Sequence, residues 1–111
     1  MMNFGDYQVL ARRTSKFKVG ESLRENVLMA ALGLSGEVGE LNDRIKKMFY
    51  HQHPTSRADI EDELGDILWY LSEMCSALSF NLQVIAYRNI EKLEKRYPDG
   101  FDSERSINRG E

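Results

Sequence analysis

Two short stretches of the chain carry acids in the same pattern. Residues 37–41 read Glu-Val-Gly-Glu-Leu and residues 63–67 read Glu-Leu-Gly-Asp-Ile. Each places an acid first, a glycine third and a second acid fourth, with aliphatic residues second and fifth. The same offset of 26 residues aligns Leu34 with Ile60, Ile45 with Leu71 and Met48 with Met74. Residues three apart on a helix are neighbours on one face. Glu37 and Glu40 therefore flank a stripe of Leu34, Val38, Leu41, Ile45 and Met48. Glu63 and Asp66 flank the matching stripe of Ile60, Leu64, Ile67, Leu71 and Met74. Packing the stripes together brings four carboxylates to one edge, where they repel unless something positive sits among them. A hard divalent cation meets that need, since Mg²⁺ is commonly held by carboxylates together with substrate phosphates.

Three chemistries use acids in this way. Sugar hydrolysis by a carboxylate pair needs an aromatic-lined carbohydrate cleft, for which this short chain has little material. A di-iron centre of the ferritin type needs Glu-x-x-His motifs, and no histidine follows either pair at that spacing. A Mg²⁺ cage for polyphosphate needs no histidine at all, and it is the preferred reading: the cation would draw in phosphate oxygens and lower the pKa of a water nucleophile. Lys92 and Arg96, with Lys46 or Lys47, are then placed to offset phosphate charge. Tyr70 falls on the acidic edge, one turn past Asp66. His51 and His53, with no thiolate or third histidine nearby, read as surface loop residues. Gly36, Gly39 and Gly65 lie inside helical patterns, where each costs about 1 kcal/mol relative to alanine. Their presence predicts close backbone approach to another helix or to a ligand.

The elements that must position these groups are helices. Apolar residues recur at helical spacing, and Pro54 and Pro98 are the only prolines in 111 residues. The pattern predicts helices over 6–18, 24–49, 58–79 and 82–96, with Asn81 capping the last. The first carries Arg12, Arg13, Lys16 and Lys18, a basic end that reads as a solvated face. In the fourth, Asn89 falls inside the stripe of Leu82, Ile85, Ala86, Ile90 and Leu93, so a hydrogen-bond partner is expected for it. The fold class is all-α: a four-helix-type bundle without a sheet, one domain over residues 1–111, its tail from about 98 partly irregular. Trp69 lies outside the aliphatic stripe and reads as a packing or subunit contact, and the small size with flanking aromatics predicts a homo-oligomer. The lone Cys75 excludes an internal disulfide, suits a reducing cytoplasm and reads as an inert core residue. No apolar run approaches the roughly 20 residues of a membrane span. A net charge of −3 argues against a nucleic-acid partner held by bulk electrostatics.

Glu37-x-x-Glu40, twenty-two intervening residues and Glu63-x-x-Asp66 resemble the signature of the MazG-type, all-α nucleoside triphosphate pyrophosphohydrolases. Gly33-Leu34-x-Gly36-Glu37, Ile45-Lys46-Lys47, Gly65-Asp66-Ile67-Leu68-Trp69-Tyr70 and Asn89-Ile90-x-Lys92-Leu93-x-x-Arg96-Tyr97-Pro98-x-Gly100-Phe101 extend the resemblance over roughly residues 28–101. It implies Mg²⁺-dependent hydrolysis of nucleoside triphosphates to monophosphate and pyrophosphate, with Mn²⁺ able to substitute and nucleotide-pool housecleaning as the role. It also implies that Glu37, Glu40, Glu63 and Asp66 hold the metal, that Lys47, Asn89, Lys92, Arg96 and Tyr70 contact substrate, and that the protein is a homodimer or dimer of dimers. Phosphoribosyl-ATP, dUTP and dCTP pyrophosphatases share the superfamily, so base choice stays open. Gly36 and Leu41 flank the first pair where some relatives carry a further glutamate. The catalytic base is therefore either a non-ligating carboxylate or no base at all, with water activated by the cation alone. The competing class is a non-enzymatic helical interaction module, which explains the amphipathic helices but not four aligned acids with glycines between them.

Overall fold

Each helix begins where a short polar side chain replaces a missing backbone acceptor. Asn3 and Ser56 each accept from the N–H three residues on, and Asp6 and Asp59 accept in return from the cap N–H, which closes a reciprocal capping box. Ser22 accepts from the N–H of Glu25, and Asn81 from that of Val84. In the computed structural model, which describes residues 1–16, 22–52 and 54–107, these caps start α1 (Phe4–Ala11), α2 (Leu23–Tyr50), α3 (Arg57–Ala77) and α4 (Leu82–Arg96). A 3₁₀ turn (Arg12–Thr14) extends α1, and a one-turn α5 (Ser103–Ile107) lies in the tail. No strand occurs among the described residues. The four expected helices are all present. The first is shorter than its sequence pattern: its α-helical part ends at Ala11, and Phe17 and Lys18 lie outside the described residues.

Helices α2 and α3 form an antiparallel hairpin, as the order of their cross-contacts requires. Arg44 meets Glu63 near the connection, and Gly33 meets the Tyr70 ring further along. Those two cross-links also set which edges face each other. A Cβ at Gly33 would lie inside the Tyr70 ring, so only glycine allows this approach. The contact is thereby rotated toward the acidic edge. Glu63 is 7% exposed, whereas Leu64 is 51% and Leu71 39% exposed, and Val38 also faces out. The expected aliphatic seam is thus only partly covered by α2 and α3 themselves. The glycine argument moves as well: a Cβ at Gly36, Gly39 or Gly65 meets nothing within 4 Å, so among the described residues no helix makes the approach expected there. Gly33 makes it instead.

The first helix crosses α3 and α4 through polar clamps. Trp69 Nε1 donates to the Ala11 carbonyl at 3.2 Å and to Thr14 Oγ1 at 3.1 Å, so Trp69 is a packing residue within the chain. Gln8 Nε2 donates to the Phe80 carbonyl and to Ser76 Oγ, while Gln8 Oε1 accepts from the N–H of Leu82. One side chain therefore ties α1 to the end of α3 and the start of α4. Cys75 is buried, and burial pushes its thiol up, away from the reactive thiolate.

Beyond Leu82, the apolar stripe of α4 is uncovered: Ile85, Ile90 and Leu93 are exposed. Asn89 is exposed too, contrary to the expectation of a core position. The reason is that α4 packs chiefly on α1 and not along α2 or α3, so among the described residues no helix runs along the rest of its stripe.

Candidate active site

Helix α3 presents Glu63, Asp66, Tyr70 and Glu73 at spacings of three and four, which is one helical face. Antiparallel to it, α2 presents Asn26, Ala30, Gly33 and Glu37 at the same kind of spacing. The result is a polar seam with carboxylates at both ends and the Tyr70 ring between them.

At the connection end, one carboxylate oxygen from each of Glu37, Glu63 and Asp66 lies within 4.8 Å of the others. Glu63 Oε1 accepts from Arg44 Nε at 3.0 Å. The Oε2 atoms of Glu37 and Glu63 are buried with no hydrogen-bond partner, an arrangement that costs about 1–3 kcal/mol or more per group when nothing positive or donating is supplied. The Glu37 carboxyl is pushed up to about 7, first by loss of solvent, then by the adjoining Glu63 carboxyl as a hydrogen-bonding neighbour and by the negative charges of Glu40, Asp66 and Glu63. Three crowded carboxylates, two of them with a buried and unpartnered oxygen, form a donor set suited to a hard cation.

Glu40, the fourth acid of the motif, is exposed and stands outside this trio. It lines an adjoining groove with Asp43, Arg44, Lys47, Thr55 and Glu63. Lys47 pairs with Asp43 at 2.8 Å and holds that carboxyl below its ordinary range. The intrahelical pairs that sequence spacing offers to Glu37 and Glu40 do not form: Arg44 reaches across to Glu63, and Lys47 turns to Asp43. Asn89, Lys92 and Arg96 sit on α4, which does not pack along the two helices that carry the carboxylates. Helix packing among the described residues therefore does not bring them alongside the acids. His51 is exposed, and His53 lies outside the described residues.

Sequence reasoning missed the other end of the seam. Glu73 is 3% exposed, with Arg12 Nη1 4.0 Å from its Oε2, and that oxygen has no hydrogen-bond partner. Arg12 belongs to the basic run expected to be solvated, yet it is half-buried against Glu73. Tyr7 faces the same region, and its hydroxyl is pushed up by burial and by the negative charges of Asp66 and Glu73. The signal was present: Glu73 continues the spacing of Glu63, Asp66 and Tyr70 by one more turn. The antiparallel hairpin places Arg44 opposite Glu63, a cross-helix pairing that spacing within one helix does not reveal.

The raised Glu37 carboxyl has a measurable consequence. Its ordinary value is 4.5 and its folded value about 7. Below that window both states are protonated. Across it the unfolded chain has lost the proton that the folded chain retains, so folding stability falls as pH rises and levels off above about 7. In chelator, the melting temperature is expected to decline between about pH 4.5 and 7, and Glu37→Gln is expected to flatten that decline. A wild-type curve that rises through this window, with the variant parallel to it, would count against the crowded-carboxylate geometry.

A family model for the MazG nucleotide pyrophosphohydrolase domain matches residues 25–101, a span that contains the whole carboxylate trio. The chain belongs to the MazG family. A relative, the Gene 37 protein of Mycobacterium phage L5, is 31% identical over 80 residues, which cover 68% of this chain and 70% of that protein. No solved structure gives a significant match. MazG membership assigns the chain to the nucleotide pyrophosphohydrolases, hydrolases that act on nucleotide phosphoanhydrides. Among the described residues, no helix is long and apolar enough to cross a membrane.

Proposed function

We propose that this MazG protein hydrolyses nucleoside triphosphates to nucleoside monophosphate and pyrophosphate in a Mg²⁺-dependent reaction. The observation that carries the reading is the pair of buried, partnerless Oε2 atoms of Glu37 and Glu63 beside the Asp66 carboxylate. The donor set fits the cation in kind, being all oxygen, and in charge, being three crowded carboxylates of which Glu37 is pushed up to about 7. Glu37, Glu63 and Asp66 would hold Mg²⁺, with Glu40 at the rim of the adjoining groove. When bound, the cation supplies charge neutralisation and Lewis acidity toward phosphate oxygens. The chain's own residues do the rest. Arg44 fixes the Glu63 rotamer by its hydrogen bond, Tyr70 packed on Gly33 closes one side of the site, and Lys47 in the groove offers positive charge to phosphate.

The same reading includes a homo-oligomer, a dimer or dimer of dimers. The accessible surface is 8745 Å², against about 6,300 Å² for a compact monomer of 12.9 kDa. The radius of gyration is 17.2 Å, against about 13 Å for a compact chain of this length. An excess of this size matches what one subunit gives up at an obligate interface. The uncovered stripes on α2, α3 and α4 supply the apolar area. A second copy would also be the route by which Asn89, Lys92 and Arg96 reach a phosphate chain. Light scattering at micromolar concentration is expected to give at least twice the chain mass; a monomer that retains full activity would sink this part.

The function itself is tested by incubating the protein and Mg²⁺ with each common nucleoside triphosphate and measuring pyrophosphate and monophosphate together. Equal amounts of both, lost on chelation and restored by Mg²⁺ or Mn²⁺, are expected from at least one substrate. No release from any of them would leave a helical interaction module as the better description.

A further inference from the structure

At the far end of the polar seam is a cavity of about 200 Å³, lined by Thr14, Ser15 and Lys16 after α1, by Asn26, Met29 and Ala30 of α2, and by Trp69, Tyr70 and Glu73 of α3. Its walls suit a flat heteroaromatic ring. Trp69 is locked in place by its two hydrogen bonds to Ala11 and Thr14, and Tyr70 stands edge-on to it with ring centroids 5.0 Å apart. Met29 and Ala30 add apolar surface. The size admits a base and excludes a whole nucleoside triphosphate. Asp66 lies seven residues before Glu73 on the same face, roughly 10 Å along the helix, which is the reach of a nucleotide from its phosphates to the far edge of its base.

A carboxylate sits at the end of this cavity, and burying one is expensive unless it is paired. Arg12 gives Glu73 a counter-charge at 4.0 Å, too long for a hydrogen bond, and Oε2 keeps an unused acceptor site. An ionised carboxylate only accepts. Its complement is therefore an N–H edge, while the buried Asn26 amide offers both a donor and an acceptor beside it.

We propose that this cavity is the nucleobase subsite, and that Glu73 selects bases with an exocyclic amino group (cytosine, adenine or guanine) over uracil and thymine. The inference rests on the pyrophosphohydrolase reading for its direction along the seam. Cytosine and adenine present an amino donor next to a ring acceptor, which suits Glu73 with Asn26. Guanine presents two adjacent N–H groups, which suit the carboxylate alone. Uracil and thymine set carbonyl oxygens on both sides of their single N–H, so at least one oxygen faces the Glu73 carboxylate.

The test compares cytosine with uracil, which differ at this edge and share their size. With Mg²⁺, kcat/KM for dCTP is expected to exceed that for dUTP by about tenfold or more, the discrimination typical of a specific base-edge contact. Glu73→Gln, whose amide donates to a carbonyl, is expected to lower that ratio by a similar factor through loss on the dCTP side. Calorimetric binding of dCMP and dUMP to the wild-type protein in chelator reads the cavity without hydrolysis and without any variant. Preference for dCMP there would uphold the subsite even if no triphosphate were cleaved, which would sink only the pyrophosphohydrolase reading. Equal or stronger binding of dUMP, or a dCTP-to-dUTP ratio unchanged in a folded Glu73→Gln protein, would overturn the proposal.

Discussion

Asp66→Asn is expected to lower pyrophosphate release by a factor on the order of 10²–10³, the range seen when one electrostatic contact to the reacting groups is removed, while helicity stays at the wild-type level. Asp66 is the best of the trio for this test because it carries the least structural duty. Its side chain is exposed, and no ion pair to it is formed among the described residues. Glu63 is a poorer choice, since Glu63→Gln also weakens a hydrogen-bonded ion pair with Arg44 at 3.0 Å and leaves Arg44 short of a charge. Asp66 is one of the negative charges that raise Glu37. Its neutralisation should therefore leave the metal-free protein as stable as wild type or more so, and should reduce the stabilisation gained from added Mg²⁺. Turnover, melting temperature in chelator and melting temperature in Mg²⁺ together decide the matter. Parallel loss of helicity and turnover would mark Asp66 as structural.

Much of this arrangement was legible in the chain. Helix type and number follow from apolar periodicity and from how few breakers the sequence contains, and these signals are local. The acid pairs were legible for the same reason, since spacing within one helix fixes which side chains share a face. What the sequence left hidden depends on the rotation of one helix against another. The Leu34 and Ile60 stripes looked like the natural seam because they hold the largest apolar area. Gly33 and Tyr70, a complementary pair on different helices, turn the contact toward the acids instead. Glu73, on the same face as Tyr70, is drawn out of solvent with Arg12 against it, so an acid that looks like surface charge lines a cavity. The place of α4 was hidden for a different reason: its stripe is real, but among the described residues no helix packs along most of it. Asn89 looked buried because periodicity reports which face is apolar, not whether that face has found a partner.

A methylene in place of the α–β bridging oxygen of the best nucleoside triphosphate is expected to abolish turnover, whereas the same change at the β–γ bridge should leave monophosphate formation close to normal. The argument starts from what can direct attack. Enzymes that cut at the terminal phosphate typically cradle the chain in a glycine-rich loop with a lysine beside it. No Gly-x-x-x-x-Gly-Lys-Ser/Thr run occurs here, and the glycines near the acids lie inside α2 and α3. Groups that could touch phosphate are instead carboxylates gathered for a cation and the lysine of the neighbouring groove. Such a set can hold the β and γ phosphates together as one leaving group, and it needs only that the α phosphorus face solvent water. With the nucleobase at the Glu73 end of the seam and the acids at the other, the phosphate nearest the sugar lies closest to the trio, which again favours scission between α and β. Products then appear as monophosphate and pyrophosphate in equal amounts, and the diphosphate never accumulates. Diphosphate with free phosphate, or full turnover of the α–β methylene analogue, would place the broken bond at the other end of the chain and remove the pyrophosphohydrolase assignment for this protein.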